Sequence, residues 1–153
     1  MICLKFSRQI GRIRRLSSVE RSLLLQIVGL VIVVRAALWL ITFRRLQSLL
    51  SRVEVRGIRN LDIRAIPVER VAQFVAAASR YVPKASCLTQ ALVTATMLRR
   101  AGHGASLRIG VSPHAGAKFR AHAWVECDGK IVIGRIKDFE DFAPLPPVQM
   151  GNF

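Results

Sequence analysis

Acidic residues, cysteines and aromatics are all scarce in this chain, and each shortage excludes something. Only 9 Asp and Glu stand against 24 Lys and Arg in 153 residues, which leaves a net charge of +15. The excess is uneven. Residues 1–60 hold 12 basic side chains against 2 acids, and residues 61–153 hold 12 against 7. Such a surface attracts polyanions: nucleic acid, an anionic membrane face, or an acidic peptide or protein. Aromatics at 7% argue against a base-stacking platform. No zinc-finger spacing, RNP-type strand or helix-turn-helix spacing is present, so no specific nucleic acid is expected as a partner.

The three cysteines, Cys3, Cys87 and Cys127, are odd in number and far apart, with no C-x-x-C pair. Neither a disulfide framework nor a cysteine-rich zinc site follows, and a reducing, cytoplasmic setting is expected. His114 lacks the paired ligands of a zinc site. No P-loop occurs, so no cofactor is evident, and the sequence leaves an ATP requirement open.

What the chain does have is apolar content, 52% of residues, enough for one modest core. Ser17 or Ser18 followed by Glu20 reads as a helix start, and the helix is expected to run to about Leu50. Its centre, Leu23 to Ile41, is broken only by Gln26, Gly29 and Arg35. The length and basic flanks fit a transmembrane span. Arg35 well inside the stretch, and the shortness of Ile27–Val34 between polar side chains, favour a buried or membrane-surface helix instead. No A-x-A-like site follows it, so a cleaved signal peptide is not expected.

Residues 1–60 are accordingly expected to form a basic helical extension, and residues 61–153 the main domain, joined by an arginine-rich linker around Gly57 and Asn60. Pro67 suits the first turn of a helix over Val68–Tyr81, with Val71, Phe74, Val75 and Ala78 on one face. Leu88, Ala91, Leu92, Ala95 and Leu98 mark a further helix over Ser86–Arg100, stopped by Gly102. The period then changes to two. Leu107–Val111, Arg120–Cys127 and Lys130–Gly134 read as strands, with Asp128-Gly129 as a hairpin turn. Ser112–Lys118 reads as a loop, and the Pro-rich tail Asp138–Phe153 as irregular cover. Helices followed by an antiparallel sheet make an α+β fold.

Cys87 opens a predicted helix directly after Ser86, a suitable N-cap. Unpaired N–H groups and the helix dipole stabilise a thiolate there and can hold an oxyanion. A free cysteine is otherwise most often a buried, inert one, and position alone does not separate the two. His122 lies mid-strand in Ala121-His122-Ala123-Trp124, where a satisfied core histidine is the plainer reading. A helix-start cysteine precedes it by 35 residues, with a strand–loop–strand between. This resembles the order in which transglutaminase-like folds bring thiol and imidazole together, and that resemblance implies a base. Trp124 reads as a core aromatic before a cleft wall. His103, in Gly102-His103-Gly104, reads as a helix-end turn residue.

The wider string is C-L-T-Q-A-L from Cys87, then Leu98-Arg99-Arg100-Ala101-Gly102-His103 and Leu107-Arg108-Ile109-Gly110-Val111. It ends in Phe119-Arg120-Ala121-His122-Ala123-Trp124-Val125-Glu126 with Asp128-Gly129 closing a hairpin. Over residues 80–135 it resembles the C-terminal-domain family of McjB, the transglutaminase-like, papain-like cysteine proteases of lasso-peptide biosynthesis. Arg14–Leu50 resembles their basic, leucine-rich helical lead-in. The resemblance implies removal of the leader from a ribosomally made precursor of an antibiotic-type peptide, so that a separate lasso cyclase can close the macrolactam. It implies Cys87 as nucleophile and His122 as general base, then acid. It also implies a precursor leader as substrate and, since the first 60 residues do not look like a recognition domain, a separate leader-recognition protein. The family commonly has Asp 12 residues after the histidine; here Gly134 stands there. A Cys87/His122 dyad is therefore expected, with Asp138, and Glu140 and Asp141 behind it, as the alternative source of an orienting carboxylate. The competing expectations are transamidation or acetyl transfer on the same frame, and a non-enzymatic basic membrane-surface protein built on residues 23–41.

Overall fold

The computed structural model describes residues 16–56, 65–112 and 120–146. The expected linker around Gly57 and Asn60, the tip of the Ser112–Lys118 loop with His114, Cys3 and the last residues of the tail lie outside them.

Helix α1 spans Ser18–Leu40. It starts with a capping box: Ser17 Oγ accepts from the Glu20 N–H at 3.2 Å, and Glu20 accepts from the Ser17 N–H at 3.0 Å. Those bonds, with the Arg70 guanidinium 3.0 Å from Glu20, hold the carboxyl below its usual range. Leu23, Ile27, Val31 and Val34, spaced by three and four residues, are buried on one side. The helix does not run to Leu50. Ile41 is extended (φ −133°, ψ 158°), and α2 starts afresh over Phe43–Arg56, with Leu46 N–H on the Thr42 carbonyl. Folding back at this β-branched pair lets Leu46 and Leu50 enter the core, where a straight helix would have carried them into solvent.

Helix α3 covers Val68–Ser79, two residues shorter than expected, and buries Val71, Phe74, Val75 and Ala78 as its spacing predicts. Helix α4, Cys87–Arg100, is the centre of the molecule. Nine of its residues, from Thr89 to Leu98, are buried, because α1, α2 and α3 pack on one side and the sheet on the other. Its C-terminus closes in a Schellman motif. Gly102 (φ 86°) donates to the Arg99 carbonyl, and His103 donates to that of Leu98.

The sheet is antiparallel, in the order β3-β2-β1-β4. Strands β1 (Ala105–Ser112) and β2 (Arg120–Cys127) pair along their full lengths, with Gly110 opposite His122. Strand β3 is Lys130–Ile133. A 3-10 turn, Phe139–Asp141, precedes β4, Ala143–Pro144, which pairs with the free side of β1. This part of the tail therefore has regular structure where irregular cover was expected. Two residues with a proline carry no alternation, and only tertiary pairing makes them a strand.

On the helix-facing side of the sheet, Ala105, Leu107, Ala123, Val125 and Cys127 join one core with the buried residues of all four helices. The α+β architecture is the one expected. The helices before residue 57 share that core rather than standing apart from it.

Candidate active site

Ser86 is the N-cap of α4, as read from sequence. Its Oγ accepts from the Thr89 N–H at 3.4 Å, and its carbonyl from the Gln90 N–H at 3.1 Å. Of the four N–H groups that open a helix without an intrahelical partner, that of Thr89 is thus taken, and the Gln90 bond is the first of the helical ladder. Those of Cys87 and Leu88 remain, and Cys87 itself is half-buried, the first residue of the helix. A negative charge on its sulfur, or on an oxygen bonded beside it, meets the positive helix end.

His122 projects from β2 near the other side of the same opening. One cleft of about 290 Å³ is lined by Cys87 and Gln90 from α4, His122 and Ala123 from β2, and the chain from Ile133 to Ile136. The fold therefore brings together the two residues singled out from sequence.

The group that meets the imidazole is a backbone oxygen and not the carboxylate of Asp138. His122 Nε2 lies 2.6 Å from the backbone carbonyl oxygen of Gly134. A carbonyl can only accept, so Nε2 carries the hydrogen and Nδ1 is the nitrogen left to take a proton from the thiol. Asp138 is not brought to the imidazole. Its carboxylate pairs with Arg120 at 3.6 Å, and both side chains are more than half exposed. Glu140 and Asp141 are also exposed. Position 134 thus keeps a hydrogen-bond acceptor for the histidine, supplied by the main chain instead of a side chain.

Only glycine fits that arrangement. Gly134 has φ 91°, and a Cβ there would lie 2.7 Å from the Ala123 carbonyl oxygen and from Trp124 Cβ. From the sequence, a three-residue loop at Cys127-Asp128-Gly129 sets residue 134 directly opposite His122, and the structure corrects that register. The hairpin turns on two residues, Asp128 (φ 50°) and Gly129 (φ 75°), and a bulge between Val125 and Glu126 then places Ile133 opposite Val125. Gly134 follows beyond the ladder, close to Trp124, and reaches His122 through its oxygen.

The imidazole is held on its other sides by rings. Trp124 stacks with it at 6.4 Å between centroids, and Phe142 lies tilted at 5.6 Å. Trp124 is 2% exposed, capped edge-on by Phe139, with its Nε1–H on Glu126 at 2.9 Å. It does not line the cleft, so it is a core aromatic behind the histidine. Gly110 on β1 makes room for the indole, since a Cβ there would come within 2.8 Å of it.

Three participants were not found by sequence reasoning. Gln90 follows Cys87 by three residues and so shares its helix face; that C-x-x-Q spacing was a usable signal. Arg135, exposed, is the charged residue lining the cleft. The Gly134 carbonyl had no signal, because a backbone acceptor has no residue type. Among the described residues no group of three or more His, Cys, Asp or Glu is placed to hold a metal ion. The other thiol, Cys127, is buried, and burial together with the neighbouring Asp128 pushes its pKa up. His103 is the residue after Gly102 in the helix-closing motif, away from the cleft lining.

The sequence model of the transglutaminase-like superfamily matches residues 30–146, well over half of the chain, from the middle of α1 to the last strand. No curated protein and no solved structure matches it. The chain belongs to the transglutaminase-like superfamily, whose fold commonly serves cysteine proteases and acyltransferases.

Proposed function

We propose that this member of the transglutaminase-like superfamily is a cysteine peptidase that removes the leader from a ribosomally made lasso-peptide precursor. The observation that carries the enzymatic part is the shared cleft of Cys87 and His122, with the Gly134 carbonyl on Nε2. The motif string over residues 80–135 supports the finer assignment to lasso precursors.

The chemistry runs on the residues of that cleft. His122 Nδ1 takes the Cys87 proton, and the thiolate attacks the scissile carbonyl carbon. The oxyanion that forms is held by the Cys87 N–H and the Gln90 side-chain amide. The imidazolium gives its proton to the departing amine, which frees the N-terminus of the core peptide. Water, activated by the same imidazole, hydrolyses the thioester and releases the leader acid. A carbonyl orients the ring but adds no negative charge, so the imidazolium is stabilised less than it would be by a carboxylate. Arg135 at the cleft favours a substrate carrying an acidic side chain near the cut.

Leader binding falls to a separate small recognition protein, and macrolactam closure to a separate cyclase. The test is to incubate the purified chain with its precursor, with and without the partner, and weigh the products. Leader acid plus free core, accelerated by the partner, supports the proposal. Full-rate cleavage by this chain alone removes the partner from it. Transfer of the acyl group to an added amine in preference to water would make the chain a transamidase.

A further inference from the structure

We propose that the outer face of α1 seats the protein in the plane of an anionic membrane surface. The helix is apolar on two sides. Leu23, Ile27, Val31 and Val34 are committed to the core. Leu25, Ile32, Val33, Trp39 and Leu40, in contrast, are between 51% and 81% exposed. Leu25, Ile32 and Trp39 follow one another at seven residues, two turns, and therefore form one stripe. Gly29 and Ala36 fill its gaps. Every exposed residue of α1 from Leu25 to Leu40 lacks a polar side chain. A helix face turned to water is ordinarily charged or polar, and a continuous apolar stripe about 22 Å long is an interaction surface.

Charge selects the occupant. The Arg35 guanidinium lies 5.1 Å from the Trp39 ring centroid, and the Lys84 ammonium lies 5.3 Å from it. Arg44 and Arg45 are exposed just past the helix end. Glu20 does little to offset this rim, being occupied by Ser17 and Arg70. An indole with cations beside it, at the end of an apolar stripe, matches the layering of a headgroup region over acyl chains. Basic groups of one sign match anionic lipid.

By length and composition α1 could cross a membrane. The packing opposes that: Leu23, Ile27, Val31 and Val34 are at most 1% exposed, and spanning would strip them from the core and open the apolar faces of α3 and α4 beneath them to water. Lying in the interface keeps them. This inference does not rest on the peptidase assignment.

Trp39 reports on it directly. The chain has two tryptophans; Trp124 is 2% exposed and Trp39 is 69% exposed. Vesicles of phosphatidylcholine with roughly one-third phosphatidylglycerol should shift Trp39 emission to the blue and carry the protein into the pellet. Binding should be at least about tenfold weaker to phosphatidylcholine alone or in high salt. The double variant Ile32→Asp/Val33→Asp, at exposed positions, should lose binding with its thermal transition unchanged. Trp39→Phe should lose the spectral shift while still sedimenting. The proposal is overturned if anionic vesicles leave the emission and the supernatant unchanged, or if the double variant binds as well as the parent. It is also overturned if Trp39 is already quencher-protected without lipid, either in a dimer or under residues 1–15 of the same chain; sedimentation velocity and deletion of those residues tell these apart.

Discussion

The two ends of α4 obey the same rules and come to opposite outcomes. At the C-terminal end the carbonyls of Met97, Leu98 and Arg99 are taken by the N–H groups of Ala101, His103 and Gly102, and the Arg99 side chain ties the end to Ala105 at 2.8 Å. At the N-terminal end Ser86 satisfies Thr89 and Gln90, and no partner among the described residues takes the donors of Cys87 and Leu88 beside the cleft. A closed helix end contributes stability. An open one holds donors and positive potential ready for a charge that develops during reaction. One helix thus keeps its structural and its chemical end about 20 Å apart.

The largest effect should fall on the open end. Cys87→Ser should lower acyl transfer at least about a thousandfold, measured as kcat/KM on precursor, with little change in Tm. Cys127→Ser should do the reverse: it keeps the activity but costs roughly 1–3 kcal/mol, because a hydroxyl is buried where the thiol packed. Alkylation by iodoacetamide should follow the same division, Cys87 first. Equal loss of activity in both variants would break the contrast.

Next comes the imidazole. Gly134→Asp restores the carboxylate that the resemblance to the leader peptidases leads one to expect, and it should lower activity by roughly tenfold or more. The new Cβ would overlap the Ala123 carbonyl and Trp124, and the positive φ would strain by about 1–3 kcal/mol. Relief of either would pull the carbonyl off Nε2. Nitrogen NMR of His122 should show the Nε2–H form in the parent and a mixture in the variant. A gain in kcat/KM would mean that the carbonyl is not the orienter.

These residues also mark how far the sequence could be read. The places of Cys87 at a helix start and of His122 within a strand were legible because those signals are local; that the two line one cleft was implied only by the resemblance. The α+β order was legible for the same reason. The helix break at Ile41 and the strand at Ala143–Pro144 were not, since both are decided by what packs against them. The orienter was missed through register. A two-residue turn followed by a bulge moved position 134 past the place expected for it, and its oxygen rather than a side chain meets the histidine. Asp138 looked suitable only because its partner Arg120, eighteen residues earlier, could not be seen.

Gln90 sharpens the open end further. If its amide is the second oxyanion donor, Gln90→Ala should lower kcat by about a hundredfold with KM nearly constant, since the bond is made only to the transition state. A rise in KM alone would make Gln90 a substrate contact.

The smallest effects compare the ends as caps. Ser86→Ala and Gly102→Ala should each cost about 1 kcal/mol, the first by losing the side-chain acceptor for Thr89, the second by placing a Cβ at φ 86°. Their stabilities should therefore be nearly matched in a denaturant titration, while their activities diverge. Loss of Ser86 lets the first turn fray, and the Cys87 N–H and the sulfur move with it. Loss of the glycine loosens the far end, where no cleft residue sits. Matched losses of stability with kcat falling only in Ser86→Ala would show that the first turn is used as a donor array; kcat falling equally in both would show that α4 acts only as a rigid rod.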